Sequence, residues 1–529
     1  MLAYYVIAPI MIAVFLYFFS NQVGKIIAIT AQFFFVVAAI YLFVQTQNYG
    51  AIVTNVGNFR SFLGVYLMAD SLSAAFVLLA TIIFLAATIF SLHEKRSNLF
   101  WFLLFIWESA LIGLFLTRDF FNIFVMLEVA TVVVAVLLMY DRDRRRIYDG
   151  MIFLMTNVVA VQFYLFGIGY IYMLTGRMDM YAAAEVIATL PQSQVYLAYA
   201  LVMTAVAFKC ALLPLSSWLV KVSSVPRAPI AIAAILSALH VKGGIYLFIR
   251  FQSVFGDVIP GEFYIVLGAV TGIIGVLMAL GQKDVMLMLA YSSVAQIGLM
   301  MMALNMGSQY AYAGGIFHAV NHGIFKAALF FGAGMIAQAY RTRDMSRIRG
   351  VWKIGKVVVI AQILAMLGII GAPIFNGSIS KYFMATEANL VVTIVMVAIN
   401  LGTILVYLKY GTIFWGKIEN ESAKKYPSDR LRHSVVMGLG ILCLAFGVFG
   451  QDIVYMIFGY PLGISLGGYI EKAVIFAVSL VVAIVIHRLP LNQWLEVHMP
   501  KANKIGFRGI CASIGVFFGA VLVVVMAFA

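Results

Sequence analysis

Five lysines stand inside long apolar runs of this 529-residue sequence: Lys209, Lys242, Lys326, Lys381 and Lys409. Two carboxylates, Glu108 and Glu128, and a histidine pair, His318 and His322, lie in similar surroundings. His322 follows His318 by four residues and precedes Lys326 by four, so a helix would carry all three on one face. A charge at the centre of a membrane costs about 2.5–3.5 kcal/mol on insertion scales, on the order of 10 kcal/mol for five unpaired lysines. That cost implies either tight pairing or work. Arginine stays charged everywhere, whereas a desolvated lysine can release its proton. A set made only of lysines, with carboxylates and histidines among them, suits groups that take up protons and hand them on. Plainer roles are open to several. Lys409 lies near the end of its run and can snorkel. Lys326 can be a passive polar contact, and Glu128 one half of a structural salt bridge. Glu108 directly follows Trp107, with Trp101 two turns before, and can face a partner subunit.

Hydrophobic residues make up 64% of the chain and charged residues 11%, where a soluble domain is about a quarter charged. Apolar stretches of about 18–25 residues recur throughout, each able to span roughly 30 Å of hydrocarbon as a helix. Backbone groups in lipid must pair internally, which leaves helices or a closed barrel. The runs are too long and too evenly apolar for barrel strands. The pattern predicts an all-α polytopic membrane protein of 14–16 helices. Sixteen spans are placed at about 2–19, 25–44, 66–91, 98–117, 120–140, 149–173, 195–220, 228–251, 262–281, 284–304, 310–338, 354–384, 389–415, 434–458, 468–487 and 506–528. The last two can also be read as one re-entrant hairpin. Residues 2–19 lack a basic leader and read as a retained helix rather than a signal peptide.

Of the 35 Lys and Arg, 25 fall in connections after odd-numbered spans, including Arg142, Arg144, Arg145 and Arg146, and Lys424, Lys425, Arg430 and Arg432. Five fall after even-numbered spans: Arg60, Arg118, Arg177, Arg250 and Lys472. The remaining five are the interior lysines. By the positive-inside rule the odd connections are cytoplasmic and both termini lie outside. The formal charge of +14 is thus topological, and no nucleic-acid partner is expected. Cys210, Cys443 and Cys511 are far apart, without metal-ligand spacing. No dinucleotide fingerprint or phosphate-binding loop is present. The chain is expected to hold no cofactor, metal, redox or hydrolytic site of its own.

Pro214 follows Lys209 by five residues, and Pro373 precedes Lys381 amid Gly368, Gly371 and Gly377. Such residues break helices, and membranes tolerate breaks where the backbone is buried or lines a polar cavity. The breaks recur in order. Helices 4–8 (98–252) and 9–13 (253–415) form two sets of five. Lys209 and Lys381 lie on the fourth helix of each, Lys242 and Lys409 on the fifth. Five helices per set would turn one copy over, giving an inverted repeat. Residues 1–97 and 416–529 flank these as N- and C-terminal helices.

The motifs resemble the antiporter-like family shared by Mrp-type Na+/H+ antiporters, respiratory complex I and membrane-bound energy-converting hydrogenases, over about residues 60–415. DFFNIFVMLEV (119–129) is similar to the family's fifth-helix segment, with its glutamate at Glu128. AFKCALLPLSSWL (207–219) resembles the broken seventh helix bearing Lys209, and HVKGGIYLFIR (240–250) the eighth, bearing Lys242. LAYSSVAQIG (289–298) and FHAVNHGIFKAALFFGAG (317–334) are the most specific strings. GAPIFNGSISKYF (371–383) resembles the broken twelfth helix ending at Lys381. The wording is nearest to D-type Mrp and hydrogenase-type members. Two segments depart from the family. Leu219, Val220, Lys221 and Val222 follow Trp218 where the family has a Leu-Pro-acid segment, and Met286 and Leu287 stand where it has a basic pair.

The resemblance implies a proton path at the membrane midplane: Glu128 paired with Lys209, then Lys242, His318, His322 and Lys326, and Lys381, with Glu108 and Lys409 as further members. Charge on one group would bias the next, so the set would titrate together. It also implies the membrane of a prokaryotic cell, lipid contacts, and other membrane subunits of an Mrp- or complex I-like assembly. Nickel–iron and iron–sulfur centres would belong to those partners, and the transported ion is the proton, with Na+ as counter-ion in an antiporter. Alternatives are the D-type component of a stand-alone Mrp antiporter, a non-pumping structural homologue, an energising subunit for uptake of another solute such as inorganic carbon, and an independent secondary transporter.

Overall fold

Acidic caps decide where several apolar runs begin to coil. In the computed structural model of the chain, Asp70, Asp119, Asp179, Asp284 and Asp429 each precede a helix and accept hydrogen bonds from backbone N–H groups of its first turn. Those N–H groups have no partner within the helix, which is why short polar side chains favour this position. The structure describes residues 1–19, 21–56, 64–141, 143–223, 225, 229–256, 258–418, 429–459, 461–489, 491–499 and 505–527; Arg60, Arg142, Lys424 and Lys425 lie outside the described residues.

The helices in chain order are α1 (Ala3–Phe18), α2 (Asn21–Tyr49), α3 (Ser71–Ser91), α4 (Asn98–Leu116), α5 (Phe120–Leu138), α6 (Arg144–Thr175), α7 (Met180–Ile187), α8 (Gln192–Lys209), α9 (Ser217–Ser223), α10 (Ile230–Ile235), α11 (Val241–Phe255), α12 (Gly261–Leu280), α13 (Val285–Leu304), α14 (Gln309–Tyr340), α15 (Lys356–Ile370), α16 (Asn376–Ala385), α17 (Leu390–Gly411), α18 (Arg430–Val448), α19 (Gly450–Phe458), α20 (Leu466–His487), α21 (Leu491–His498) and α22 (Phe507–Ala527). A π-helical turn, Leu236–His240, joins α10 to α11. Among the described residues thirteen helical stretches are long and apolar enough to cross a membrane. The shorter α1, the pair α15–α16 and the pair α8–α9 occupy the other three predicted spans. The last two spans are separate helices, α20 and α22, rather than one hairpin.

One small sheet interrupts the all-helical expectation. Strands β1 (Ile52–Asn55) and β2 (Tyr66–Ala69) pair antiparallel, Ile52 with Ala69 through Asn55 with Tyr66. The span expected from residue 66 therefore starts at Ser71, because Asp70 caps the helix there and leaves Tyr66–Ala69 extended.

The chain folds as two compact units. Unit 1 comprises Met1–Ile235, Leu239–Pro260 and Lys504–Ala529; in it α4, α5, α6 and α8 pack in succession, and α11 and α22 both lie on α8. Unit 2 comprises Leu236–Ala238 and Gly261–Asn503; α12, α13 and α14 pack in succession, α15, α16 and α18 surround α14, and α20 lies on α17. Each unit contains the same backbone device. Asp119 bridges Asp179 in unit 1, with Phe120 N donating to Met178 O and Met180 N to Arg118 O, both at 2.9 Å. Asp284 bridges Asp344 in unit 2, with Val285 N donating to Arg343 O and Met345 N to Lys283 O, again at 2.9 Å. The partners are 60 residues apart in both cases (119 to 179, 284 to 344).

Candidate functional site

In unit 1 the helix carrying Lys209 stops at that residue. Ala211 takes a left-handed conformation (φ 56°), Pro214 offers no N–H, and helix resumes at Ser217. The Lys209 side chain is 3% exposed. Its ammonium donates to Asn157 Oδ1 of α6 at 2.8 Å and to Thr131 Oγ1 of α5 at 3.1 Å. Glu128, one turn before Thr131, lies within electrostatic reach of Lys209 but makes no direct ion pair with it. The Lys209 bonds go to neutral oxygens, and Glu128 Oε1 is buried without a hydrogen-bond partner. The direct pair expected from the sequence is thus replaced by an amide and a hydroxyl that reach the ammonium from α5 and α6.

Lys242 is fully buried on α11. Gly244, two residues further on, lets α11 pass directly over the break, since a Cβ there would sit 2.5 Å from Lys209 C and Cys210 N. His240, in the π-helical turn, lies beside these residues, a position that spacing alone does not reveal. Trp107 Nε1 donates to its Nδ1 at 3.3 Å, its ring lies against Trp107 and Trp218, and its Nε2 is buried without a partner. Single-turn π-helix is frequent at functional positions, and the one signal for His240 in the sequence is its place two residues before Lys242 in HVK.

In unit 2, α15 ends at Gly371 in a left-handed conformation (φ 78°), Pro373 follows, and α16 begins at Asn376. Lys381 donates to Ile369 O and to Asn400 Oδ1 of α17, both at 2.7 Å. Gly371 makes room for that ammonium: a Cβ there would lie 3.0 Å from Lys381 Cδ. On α14, His318 and His322 are fully buried with ring centroids 6.4 Å apart. His318 bonds Ser380 Oγ through Nδ1 (2.8 Å) and Gln296 Oε1 through Nε2 (3.0 Å). Lys326 donates to Leu289 O (2.9 Å) and Tyr407 OH (3.2 Å). Both side-chain polar atoms of buried Asn376 lack a partner, an arrangement that calls for ordered water.

Two members of the expected set are held differently. Lys409 donates to Leu280 O at 2.7 Å and pairs with Glu496 of α21 at 2.8 Å, so it does not snorkel freely. Glu108 is fully buried and takes a hydrogen bond from Gln32 of α2; its carboxyl faces inward rather than toward a partner subunit. Of the two departures from the family motifs, Lys221 is buried and pairs with Asp149 of α6 at 3.4 Å. Met286 and Leu287 form the first turn of α13 on the Asp284 cap. Among the described residues no group of three or more His, Cys, Asp or Glu is placed to hold a metal ion.

The chain is similar to known proteins in sequence and in fold. The family model described as "NADH:quinone oxidoreductase/Mrp antiporter, TM" matches residues 117–406. The D component of the Na(+)/H(+) antiporter of Alkalihalophilus pseudofirmus is 29% identical over 427 residues, covering 78% of this chain and 86% of that protein. The N component of the NADH-quinone oxidoreductase of Desulforudis audaxviator is 28% identical over 433 residues, covering 75% and 85%. Among solved structures, a chain of the Mrp complex from Dietzia sp. shares the fold with a TM-score of 0.79 at 22% identity, over 92% of this chain and 99% of that one. A chain of an archaeal membrane-bound sulfane sulfur reductase gives the same score and identity over 91% and 99%. The matched segment spans more than half of the sequence and contains Glu128, both broken helices and the His318–Lys326 helix, and the chain accordingly belongs to the NADH:quinone oxidoreductase/Mrp antiporter family of membrane subunits.

Proposed function

We propose that this chain translocates protons, or exchanges H+ for Na+, as the antiporter-like membrane subunit of a multisubunit energy-converting complex in a prokaryotic cell membrane. One observation carries the reading. Lys209, Lys326 and Lys381 are all held by neutral oxygens: an amide, a hydroxyl, a phenol or a backbone carbonyl. A lysine so held can lose its proton without breaking a direct ion pair, a loss that costs several kcal/mol where both charges are buried. Lys221 and Lys409, each paired with a carboxylate, are the contrasting structural type.

Each unit then contributes its own group of carriers. In unit 1, Glu128 biases the charge on Lys209, and Lys242 and His240 lie on the adjoining element. In unit 2, His318, His322 and Lys326 serve Lys381. The order of transfer is the one the family resemblance implies. The two five-helix sets, 98–252 and 253–415, are proposed to be inverted copies; the equal spacing of the Asp119–Asp179 and Asp284–Asp344 bridges supports this. Residues 1–97 and 416–529 are proposed as flanking segments, with both termini outside. Electron-transfer centres, nickel–iron or iron–sulfur, belong in this reading to partner subunits. The named relatives in an Na+/H+ antiporter and a quinone oxidoreductase support an assembly with other membrane chains.

The test is proton uptake by vesicles containing the complete complex, followed with a pH-sensitive dye. Lys209→Ala and Lys381→Ala complexes that assemble normally on native gels are expected to lose coupled transport, and unimpaired transport by either would defeat the reading. A second reading, a homologue that does not pump, is favoured by one feature: Lys221, paired with Asp149, stands where the family resemblance expects an acid. It predicts that the unaltered complex moves no protons through this subunit, so that neither alanine variant changes the flux.

A further inference from the structure

His318 is held by a chain of buried side chains whose hydrogens can be counted. Thr403, on α17, donates its hydroxyl hydrogen to Ile399 O at 2.9 Å, four residues back on its own helix. With that hydrogen committed, Thr403 Oγ1 can only accept, and Gln296 Nε2 of α13 donates to it at 3.1 Å. The carboxamide is thereby oriented, and its other atom, Oε1, meets His318 Nε2 at 3.0 Å. A carbonyl oxygen has no hydrogen to give, so Nε2 must carry one. A neutral imidazole has a single N–H, and the bond made by one ring nitrogen decides the state of the other. Nδ1 is therefore a bare lone pair, directed at Ser380 Oγ of α16 at 2.8 Å. Gln296, His318, Ser380 and Thr403 are all buried, so bulk water does not compete for these bonds. Ser380 Oγ has two further acceptors in reach, Asn376 O and Gly377 O, each at 3.3 Å. Asn376 O is itself held by Asn321 Nδ2 at 3.1 Å.

We propose that Gln296 and Thr403 are positioning residues that fix His318 as the Nε2–H tautomer, so that this histidine binds and releases its proton only at Nδ1, against Ser380 on the broken-helix element that carries Lys381. The proposal rests on the reading of His318 as a proton carrier. Gln296 and Thr403 neither give nor take a proton; they act through the imidazole. With the ring neutral, the Ser380 hydrogen points to Nδ1. When the ring gains one proton there, the new Nδ1–H donates back to Ser380 Oγ, and the serine turns its own hydrogen to Asn376 O or Gly377 O. The serine ends with the hydrogen it began with, and the imidazole gains one proton and one positive charge. Both states leave every hydrogen of the ring and the hydroxyl with an acceptor, so neither strands a buried donor. Nε2 stays bonded to Gln296 in both. The proton thus enters and leaves on the α16 side of the ring and not through α13.

The tautomer can be read without depending on transport. The test incorporates 15N-labelled histidine into the complete complex and records the imidazole nitrogens by NMR. The His318 signals are identified by their loss in His318→Asn or His318→Gln. The expected result in the unaltered complex is a protonated Nε2 and a bare Nδ1 while the ring is neutral, with Nδ1 the nitrogen that changes on acidification. In Gln296→Leu, Nε2 loses its acceptor, and a population with hydrogen on Nδ1 should appear. The same variant should slow proton flux several-fold and shift its pH profile. Thr403→Val, which frees the carboxamide to turn over, should do both to a smaller extent, and Thr403→Ser, which keeps the hydroxyl, should restore both. A role in packing alone would lower the yield of assembled complex and leave the pH profile in place. Hydrogen on Nδ1 in the unaltered neutral ring would overturn the assignment even if Lys381→Ala abolishes transport, and so would a tautomer and pH profile unmoved in assembled Gln296→Leu and Thr403→Val complexes. The expected tautomer together with full transport by His318→Gln would instead overturn the reading of His318 as a carrier.

Discussion

Both units set a lysine beside a helix interrupted by a proline, but they surround it differently. In unit 1, ion pairs stand at both ends of the bundle, one buried and one half-buried. Lys221 meets Asp149 where α9 ends and α6 begins. Asp70 accepts from Arg250 at 2.6 Å and lies 3.5 Å from Arg118, beside the ends of α4 and α11. Arg118 also donates to Ser73 Oγ at 2.7 Å and is 1% exposed. In unit 2, by contrast, the broken helix opens on a cavity walled by α20, and the carboxylate of Glu496 goes to Lys409 and Lys283 rather than to the break. The difference teaches that a broken helix supplies only free backbone groups and a place for a lysine. Whether the lysine can exchange with water depends on what neighbouring helices bring to its two ends.

The largest effect that would sharpen this contrast is on transport. Lys381→Ala should reduce proton flux by about 10²-fold or more, the scale of losing an essential proton-transfer group, and should do so for either direction of flow. Lys209→Ala should be as severe for coupled transport. If unit 1 is closed at its ends, however, Lys209→Ala should leave access to the cavity beside Lys381 intact, measurable as thiol labelling of Thr393→Cys in its lining. Loss of that labelling in Lys209→Ala would break the comparison.

The next effect is on stability. Removing one partner of a buried ion pair costs about 3–5 kcal/mol, because the other charge is left buried and alone. Lys221→Met should therefore lower the melting temperature of the purified complex markedly, and Lys221→Met with Asp149→Leu should restore most of it. The Lys409–Glu496 pair is less enclosed, with side chains 12% and 19% exposed, and Glu496→Gln should cost less. If the double variant also shows faster labelling of cysteines near Lys209, the pair closes that end of unit 1; if labelling stays the same, the pair is structural only.

How much of this was legible in the sequence follows from what each kind of residue signals. A lysine in an apolar run stands out against hydropathy, and so all five interior lysines, the two breaks and the order of spans could be read directly. The oxygens that hold those lysines do not stand out. Thr131, Asn157 and Asn400 are unremarkable in a membrane helix, and each reaches its lysine from another helix. The same holds for Asp149, which the sequence places at the start of a span and the structure places against Lys221. The β1–β2 hairpin was hidden because four-residue strands next to a long apolar run share its composition; only the Asp70 cap separates them. The pairing of Glu128 with Lys209 came from the family resemblance, and a resemblance does not say which oxygen reaches the ammonium first: here it is Asn157 and Thr131.

A pH measurement probes the arginine-bound end of unit 1. Burial by itself would raise the Asp70 carboxyl, but Arg250 and Arg118, with the Ser73 N–H, overcome this and hold it well below the usual carboxylate range. Its folded pKa is thus depressed. The stabilisation is complete above the unfolded value near 4 and is lost as pH falls through the folded value below it. A salt-bridged carboxylate of this kind contributes roughly 2–3 kcal/mol at neutral pH. Asp70→Asn should lower stability at neutral pH and flatten the acid side of the stability profile. In unit 2, burial likewise opposes, while Ser346 hydrogen bonds, Arg347 and Lys283 lower the Asp344 carboxyl. Arg347 is exposed, so screening by solvent should make Asp344→Asn the milder change. An acid limb that responds equally to both would remove this asymmetry between the two units.

The smallest effects are expected at the two glycines that let the breaks form. Gly244→Ala puts a methyl 2.5 Å from the Lys209–Cys210 backbone, which cannot move aside without shifting the break itself. Overpacking of this kind costs about 1–3 kcal/mol. Gly371→Ala meets a different obstacle: its left-handed conformation disfavours a side chain by about 1–2 kcal/mol, and the methyl would press on the flexible stem of Lys381 at 3.0 Å. The two should separate in kind as well as size. Gly244→Ala should lower the melting temperature and slow transport together, because it displaces the backbone that carries Lys209. Gly371→Ala should cost about 1–2 kcal/mol of stability and, unlike Gly244→Ala, shift the pH dependence of transport, because it crowds the Lys381 side chain beside the cavity. Identical behaviour of the two variants in both assays would mean that the breaks are set by backbone packing alone, with no special access at Lys381.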